Sequence, residues 1–266
     1  TGGIEHVPES AKRAIALTRA KGNLVYLCTG RSKAEIYDFI LECGIDGVIG
    51  AGGGYIEIGN QMLYHKKVTN KAVNHMVDYF DTNNFDYYVE SNGGLFASKN
   101  LVKRLERIIY GDYENYPQAK ARYEKKDSHF INALIEGQEM RRDDINKACF
   151  LENPNIPFNN IIKEFDREFN VIHCTVPAFG DNSGELSVPN IHKANAIETL
   201  INYLGIERKN TYAFGDGMND KEMLEYVNIG IAVGNAKEGL KAVADEITDN
   251  IDNNGIYNSM KKHNLI

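Results

Sequence analysis

Apolar and polar positions follow one rhythm at the two ends of the chain and another in the middle. Residues 8–21 (PESAKRAIALTRAK) place Ala14, Ile15, Leu17 and Thr18 on a helical period, with Pro8 at the start and Gly22 at the stop. Asn23 to Cys28 (NLVYLC) is an unbroken apolar run of strand length, and SKAEIYDFILECG returns to a helix-like pattern up to Gly44. Helix, buried strand, helix implies a parallel α/β layer. The alternation returns late: KANAIETLINYLG reads as helix, TYAFGD as strand, KEMLEYV as helix, IGIAVG as strand, EGLKAVA as helix and EITD as a short strand. Both ends of the chain are expected to build one α/β core.

The middle reads differently. FDYYVESNGGLFAS has two β-rich runs about an Asn-Gly turn, a strong hairpin signal, and KNLVKRLERIIYG follows as an amphipathic helix. A strand-like INKACFLE, a helix-like PFNNIIKEFDREF and a second pair, NVIHCTVPAF and GELSVP around Asp181-Asn182-Ser183-Gly184, complete an α+β pattern. The expected division is core over residues 1–68, an inserted α+β domain over 69–187 and core again over 188–266. A chain of 266 residues is long enough for such a two-part build.

Composition narrows the function classes. With 30 basic against 37 acidic residues the net charge is −7, which argues against nucleic acid or an anionic membrane as the main partner, so an anionic ligand needs a local site. Cys28, Cys43, Cys149 and Cys174 are scattered with no CxxC pair, suggesting neither zinc nor a disulfide framework; they read as reduced core thiols. No apolar run approaches the ~18 residues of a membrane span, and TGGIEHVPES is not a signal peptide. A cytoplasmic protein is expected, of unassigned oligomeric state. The aromatics Tyr87, Tyr88 and Phe96, and His129 and His173, can be core or contact residues.

Three polar clusters stand where strands turn toward helices, the place where doubly wound sheets bind ligands. Thr29-Gly30-Arg31-Ser32 follows the strand ending at Cys28; a hydroxyl beside a flexible Gly can donate to a phosphoryl oxygen, although an ordinary turn with Ser32 as helix N-cap accounts for the same residues. Lys193 opens a helix, where the dipole disfavours a cation unless an anion offsets it; a solvated surface lysine is the plain alternative. Residues 215–220, GDGMND, put Asp216 and Asp220 in a Gly-rich turn, a hard-oxygen cluster suited to Mg²⁺, which takes one or two carboxylates plus water and phosphate oxygens. An Asx-rich turn with Asp220 capping the next helix would use the same residues.

LCTGRS, HKANAIETL and FGDGMNDKEML, followed by IAVGNAKEGLKAVADEITDNIDNNGI, together resemble the second, third and fourth motifs of the haloacid dehalogenase-like phosphatases of the Cof type. The resemblance runs in order from about Pro8 to the end. It implies a Rossmann-like parallel-sheet core with an inserted α+β cap, and a Mg²⁺-dependent phosphatase acting on small phosphorylated metabolites, sugar phosphates or similar, through a phosphoaspartyl intermediate. Carried over motif by motif, Thr29, Gly30 and Lys193 would bind the transferring phosphoryl group, Thr29 and Lys193 as catalytic residues. Asp216 and Asp220 would hold the metal, Asp220 with Asn219 positioning either the ion or Lys193. Arg31, Asn219 and Asn235 would contact substrate or support the residues that do. The cap would close over the site and set substrate choice.

Two departures stand out. The family's first motif, Asp-x-Asp-Gly-Thr, is not in the sequence; Thr1-Gly2-Gly3 stands where the loop after it would fall, so the nucleophile is expected just upstream of residue 1. Where the family has Asn-Gly-Ala after the second strand, this chain has Gly52-Gly53-Gly54. A sugar phosphomutase of the same superfamily would share the motifs, as would a non-catalytic homologue that binds phosphate and metal.

Overall fold

The computed structural model describes residues 7–126, 128–174 and 176–266; the Thr1–Gly3 stretch lies outside the described residues. The chain forms two compact units. Residues up to Arg31, Ile36–His65 and Ile191–Ile266 make the first, and Ser32–Glu35 with Lys66–Asn190 the second, a span that encloses the expected 69–187.

The first unit opens with α1 (Glu9–Ala20), which follows Pro8 and buries Ala11, Ala14 and Thr18 on one face. Next come β1 (Tyr26–Cys28), a single helical turn α2 (Asp38–Leu41) and β2 (Gly47–Gly50). β1 and β2 pair in parallel, Cys28 opposite Ile49. Two expectations are corrected here. The strand is shorter than Asn23–Cys28, since Leu24 is half-exposed and lies outside the sheet. Residues 32–44 do not form one helix: Lys33–Glu35 is a 3₁₀ turn and Ser32–Glu35 joins the second unit, which leaves only α2. An unforeseen hairpin, β3 (Tyr55–Ile58) and β4 (Gln61–His65), extends the sheet antiparallel to β2 in the order β1-β2-β3-β4. Its signal was the alternation on either side of Gly59-Asn60.

The second unit starts with α3 (Asn70–Thr82), capped by Thr69, whose hydroxyl accepts from the Ala72 amide. The expected hairpin is present as β5 (Tyr87–Ser91) and β6 (Leu95–Ala97), followed by α4 (Leu101–Tyr110). Helices α5 (Pro117–Lys125) and α6 (His129–Ala133) were not anticipated, nor was the short β7 (Leu134–Ile135). Then come β8 (Ile145–Phe150), α7 (Phe158–Phe165), β9 (Asn170–His173) and β10 (Gly184–Ser187). The six strands form one sheet, β7-β6-β5-β8-β10-β9. Because strand side chains alternate, Tyr87 and Val89 join Phe150 and the α3 and α7 residues Phe80 and Phe165 in one core cluster, whereas Tyr88 and Cys149 join Leu101 and Leu105 of α4 in another. Tyr87, Tyr88 and Phe96 are all buried in these clusters. Phe80 is fully buried, its ring centroid 4.9 Å from Phe85 and 5.3 Å from Phe150, so truncation to Ala there costs about 3–5 kcal/mol.

The chain returns to the first unit with α8 (Lys193–Leu204), closed by Gly205 in the left-handed region at φ 67°. It continues through β11 (Tyr212–Gly215), α9 (Lys221–Tyr226), β12 (Ile229–Ala232), α10 (Glu238–Lys241), β13 (Glu246–Ile247) and α11 (Gly255–Lys262). β11, β12 and β13 form an all-parallel sheet. Ala196, Ile197, Leu200 and Ile201 of α8 lie in one core cluster with Ile49 and Ile56 from the first sheet and with Ala213 and Ala232 from the second. Among the described residues β1 and β11 are nevertheless both end strands, hydrogen-bonded to β2 and β12 respectively. No helix among the described residues is long and apolar enough to cross a membrane.

Candidate active site

The loop after β1 is fixed by backbone bonds. Thr29 N donates to Ile49 O (2.9 Å), Gly52 N to Thr29 O (3.0 Å) and Ala51 N to Arg31 O (2.8 Å). The Thr29 hydroxyl accepts from Arg31 N at 3.1 Å, which curls the loop around the threonine. A Cβ added to Gly30 would stand 3.8 Å from Asn219 Nδ2, so this loop and the GDGMND turn are neighbours. Arg31 is exposed, its guanidinium 5.2 Å from the centre of the Tyr37 ring. Ser32 is no helix cap: it is fully buried and its hydroxyl donates to Glu90.

Lys193 begins α8 and is buried, not the solvated lysine its charge allowed. Its ammonium hydrogen-bonds Asp220 Oδ1. The other carboxylate oxygen of Asp220 accepts from the amides of Asp216 (3.0 Å) and Gly217 (3.1 Å). One buried carboxylate thus closes the turn and neutralises the lysine that the helix dipole disfavours. Asp220 makes no side-chain cap to α9. Asp216 sits half-buried at the end of β11, and its carbonyl accepts from Lys237 N at 3.0 Å, tying the turn to the start of α10. Asn235 is exposed, and its side-chain oxygen accepts from Ile251 N at 3.2 Å.

Thr29, Gly30, Lys193, Asp216, Asn219 and Asp220 therefore belong to one region of the first unit. Asn235 is engaged with the segment before α11, and no hydrogen bond joins it to these residues among the described contacts. Two contributors escaped the sequence reading. Burial pushes the Cys28 thiol up to about 12, with the nearby Lys193 charge opposing and Asp220 adding to the rise. Gly53, at φ 108°, lets its backbone pass the start of α8, where a Cβ would be 2.7 Å from His192 O; the Tyr64 hydroxyl donates to the Gly53 carbonyl. The Gly52-Gly53-Gly54 run signalled this close approach without saying what approaches.

A buried lysine–aspartate pair, an amide- and hydroxyl-bearing loop and a second carboxylate are thus gathered in one part of the first unit. The sequence profile of the haloacid dehalogenase-like hydrolases matches residues 3–260. The chain belongs to that family. A relative from Bacillus subtilis strain 168, phosphatase YwpJ, is 27% identical over 271 residues, covering 94% of this chain and 91% of its own. A solved protein of Geobacillus kaustophilus HTA426 superposes with a TM-score of 0.80 at 25% identity, covering 98% of this chain and 93% of that one. A solved subclass IIB sugar phosphatase of the family shares the fold with a TM-score of 0.70 at 22% identity, over 98% and 93% of the two chains. The fold is the family's, a Rossmann-like core with a cap, and the enzyme is a phosphatase.

Proposed function

We propose that this haloacid dehalogenase-like enzyme is a Mg²⁺-dependent phosphatase of small phosphorylated metabolites, sugar phosphates foremost, working through a phosphoaspartyl intermediate. The observation that carries the reading is the buried Lys193–Asp220 pair in the same region as the Thr29–Gly30 loop and Asp216. A hydroxyl at Thr29 and the backbone N–H groups of its loop are donors for non-bridging phosphoryl oxygens. The Lys193 charge, fixed by Asp220, stabilises negative charge developing on those oxygens during transfer. Asp216 and Asp220 are the carboxylates proposed to hold the ion, Asp220 while it also bonds Lys193 and the turn amides, with Asn219 beside them. The donor set fits: Mg²⁺ needs one or two carboxylates and fills its remaining positions with water and phosphate oxygens. When bound, the ion supplies charge neutralisation at the phosphoryl group.

The nucleophilic Asp is proposed on a strand before residue 1. Supporting it, among the described residues β1 and β11 are end strands of separate sheets although α8 packs with strands of both, an arrangement that a parallel strand between them would complete. The net charge of −7 supports a small phosphorylated metabolite over nucleic acid or membrane as partner, and we place the reaction in the cytoplasm.

The test is phosphate release by the full-length protein from a panel of sugar phosphates, nucleotides and other phosphomonoesters, with Mg²⁺ and with excess chelator. Turnover should need Mg²⁺ and fall by about 10²-fold or more in Asp216→Ala, the scale of losing a principal electrostatic stabiliser. Undiminished turnover in chelator would overturn the metal assignment, and transfer of phosphate to a second hydroxyl without release would make the enzyme a mutase.

A further inference from the structure

Three consecutive residues of the turn after β2 have positive φ: Ala51 at 50°, Gly52 at 66° and Gly53 at 108°. Ala51 carries a Cβ there, a conformation that L side chains avoid and that persists only where the surroundings over-determine it. The surroundings do so from three sides, all within the first unit. On the first side, the amides of Ala51 and Gly52 donate to Arg31 O (2.8 Å) and Thr29 O (3.0 Å). On the second, the Gly53 backbone lies against the first turn of α8, where a Cβ would meet His192 O at 2.7 Å and Ala196 Cβ at 3.3 Å. The third hold is a side chain: Tyr64 of β4 donates its hydroxyl to the Gly53 carbonyl. Burial, and after it the Cys28 thiol, raises the Tyr64 pKa above its ordinary value, so the phenol keeps the proton it donates.

A tyrosine hydroxyl on a backbone carbonyl has a bland explanation, that each satisfies the other. That explanation makes no use of which carbonyl is chosen. The one chosen belongs to the last of three left-handed residues, in the turn that separates the two phosphoryl-binding groups. Thr29 and Arg31 hang on its first half, and α8, whose first residue is Lys193, rests on its second. Donors held at a preset spacing need no reorganisation when ligand arrives. Here the element that sets the spacing is a strained turn, and the hairpin β3–β4 supplies the hydroxyl that keeps it so.

We propose that Tyr64 is a positioning residue for the phosphoryl site: its bond to Gly53 holds the left-handed turn, and the turn fixes how far the Thr29 loop stands from Lys193. The kinetic arm of the test rests on the phosphatase reading above, and the resonance and exchange arms do not. Phosphoryl transfer spreads charge over oxygens that the loop and the lysine must meet together, so a change in their spacing weakens the transition state more than the ground state. The mark of such a change is a lower kcat with KM nearly unmoved.

The experiment compares full-length wild type, Tyr64→Phe and Thr18→Val. Tyr64→Phe deletes one oxygen and keeps the ring, so the hairpin retains its packing. Thr18→Val is the control, because it removes a more deeply buried hydroxyl of the same unit, one that donates to Met260 Sδ at 3.3 Å. The readouts are the NMR resonance of the Lys193 ammonium nitrogen, assigned by its loss in Lys193→Met; amide exchange over residues 47–54 by mass spectrometry; and kcat and KM for a phosphomonoester. Tyr64→Phe should shift the Lys193 resonance and speed exchange over 47–54 about tenfold, as for the loss of one hydrogen bond. It should lower kcat about tenfold, short of the roughly 10²-fold that follows loss of a donor outright, and leave KM near wild type. Thr18→Val should match wild type in every readout. A Lys193 resonance unmoved in Tyr64→Phe, or moved equally in Thr18→Val, would overturn the proposal. So would a raised KM with kcat intact, which marks lost uniform binding, or faster exchange alone, which marks a structural bond and nothing more. Wild-type protein without ester turnover would instead refute the phosphatase reading, and the Lys193 resonance would still decide the role of Tyr64.

Discussion

Lys193 and Asp220 stand 27 residues apart in the chain and form a buried ion pair, their side chains only 6% and 7% exposed. Breaking such a pair by removing one charge costs about 3–5 kcal/mol, because the survivor stays in a poorly solvating interior. Asp220→Asn should therefore lose stability on that scale by urea denaturation. A carboxamide oxygen can still accept from the Asp216 and Gly217 amides, so the double variant Lys193→Met/Asp220→Asn should recover much of the loss. A double variant as unstable as the sum of the singles would show that the pair is not the source of the cost.

The same lysine depends on a glycine elsewhere. Gly53 and Gly22 both lie at positive φ, but a Cβ on Gly22 meets nothing within 4 Å, whereas one on Gly53 meets the His192 carbonyl oxygen at 2.7 Å. Each Ala substitution bears the backbone strain, roughly 1–3 kcal/mol; only Gly53→Ala must also displace the start of α8. Gly53→Ala should thus be the less stable of the two in thermal unfolding, and should weaken orthophosphate binding by calorimetry where Gly22→Ala does not.

In the second unit, His75 on α3 has Nδ1 2.5 Å from Glu168 and Nε2 2.8 Å from Glu164. Only the imidazolium can donate from both nitrogens. The Glu168 hydrogen bond holds its pKa above the ordinary 6.5, aided by Glu164 and opposed by partial burial. A folded-state pKa above the unfolded one contributes stability that is complete below about 6.5 and is lost as pH rises through the folded value. Melting temperature should fall from pH 6 to pH 8.5 more steeply in wild type than in His75→Gln. Parallel profiles would exclude His75 as the titrating group.

Cys28 should be chemically silent. Its thiol is pushed up to about 12 by burial, so the thiolate that alkylating agents attack is scarce at neutral pH. In native protein, iodoacetamide at pH 8 should label Cys28 far more slowly than it does in urea-unfolded protein, as read by peptide mass spectrometry. The contribution of the neutral thiol to stability is complete below its unfolded value near 9 and is lost between there and about 12. Rapid labelling under native conditions would refute this placement.

How much of this could be seen in the residues themselves divides along physical lines. Local patterns were legible: Pro8 and Gly22 bracket α1, Gly205 ends α8, the Asn92-Gly93 turn joins β5 to β6, and the late strand–helix alternation gives β11 to β13. These depend on periodicity and on backbone preferences that act within a few residues. The polar motifs at Thr29, Lys193 and Asp216 were legible for the same reason, because turn chemistry is written locally.

What the sequence could not settle was every outcome that depends on a distant partner. The helical pattern over residues 32–44 gives way to a 3₁₀ turn at Lys33–Glu35, and the hydroxyl of Ser32, read as a helix cap, bonds Glu90, 58 residues away. Lys193 looked equally like a surface residue until Asp220 was placed against it. The two carboxylates of the GDGMND turn are indistinguishable in the chain, yet one faces the lysine and two amides while the other stays half-buried at the strand end. Burial, charge pairing and close backbone approach are properties of which segments meet in space, and only the tertiary fold brings those segments together.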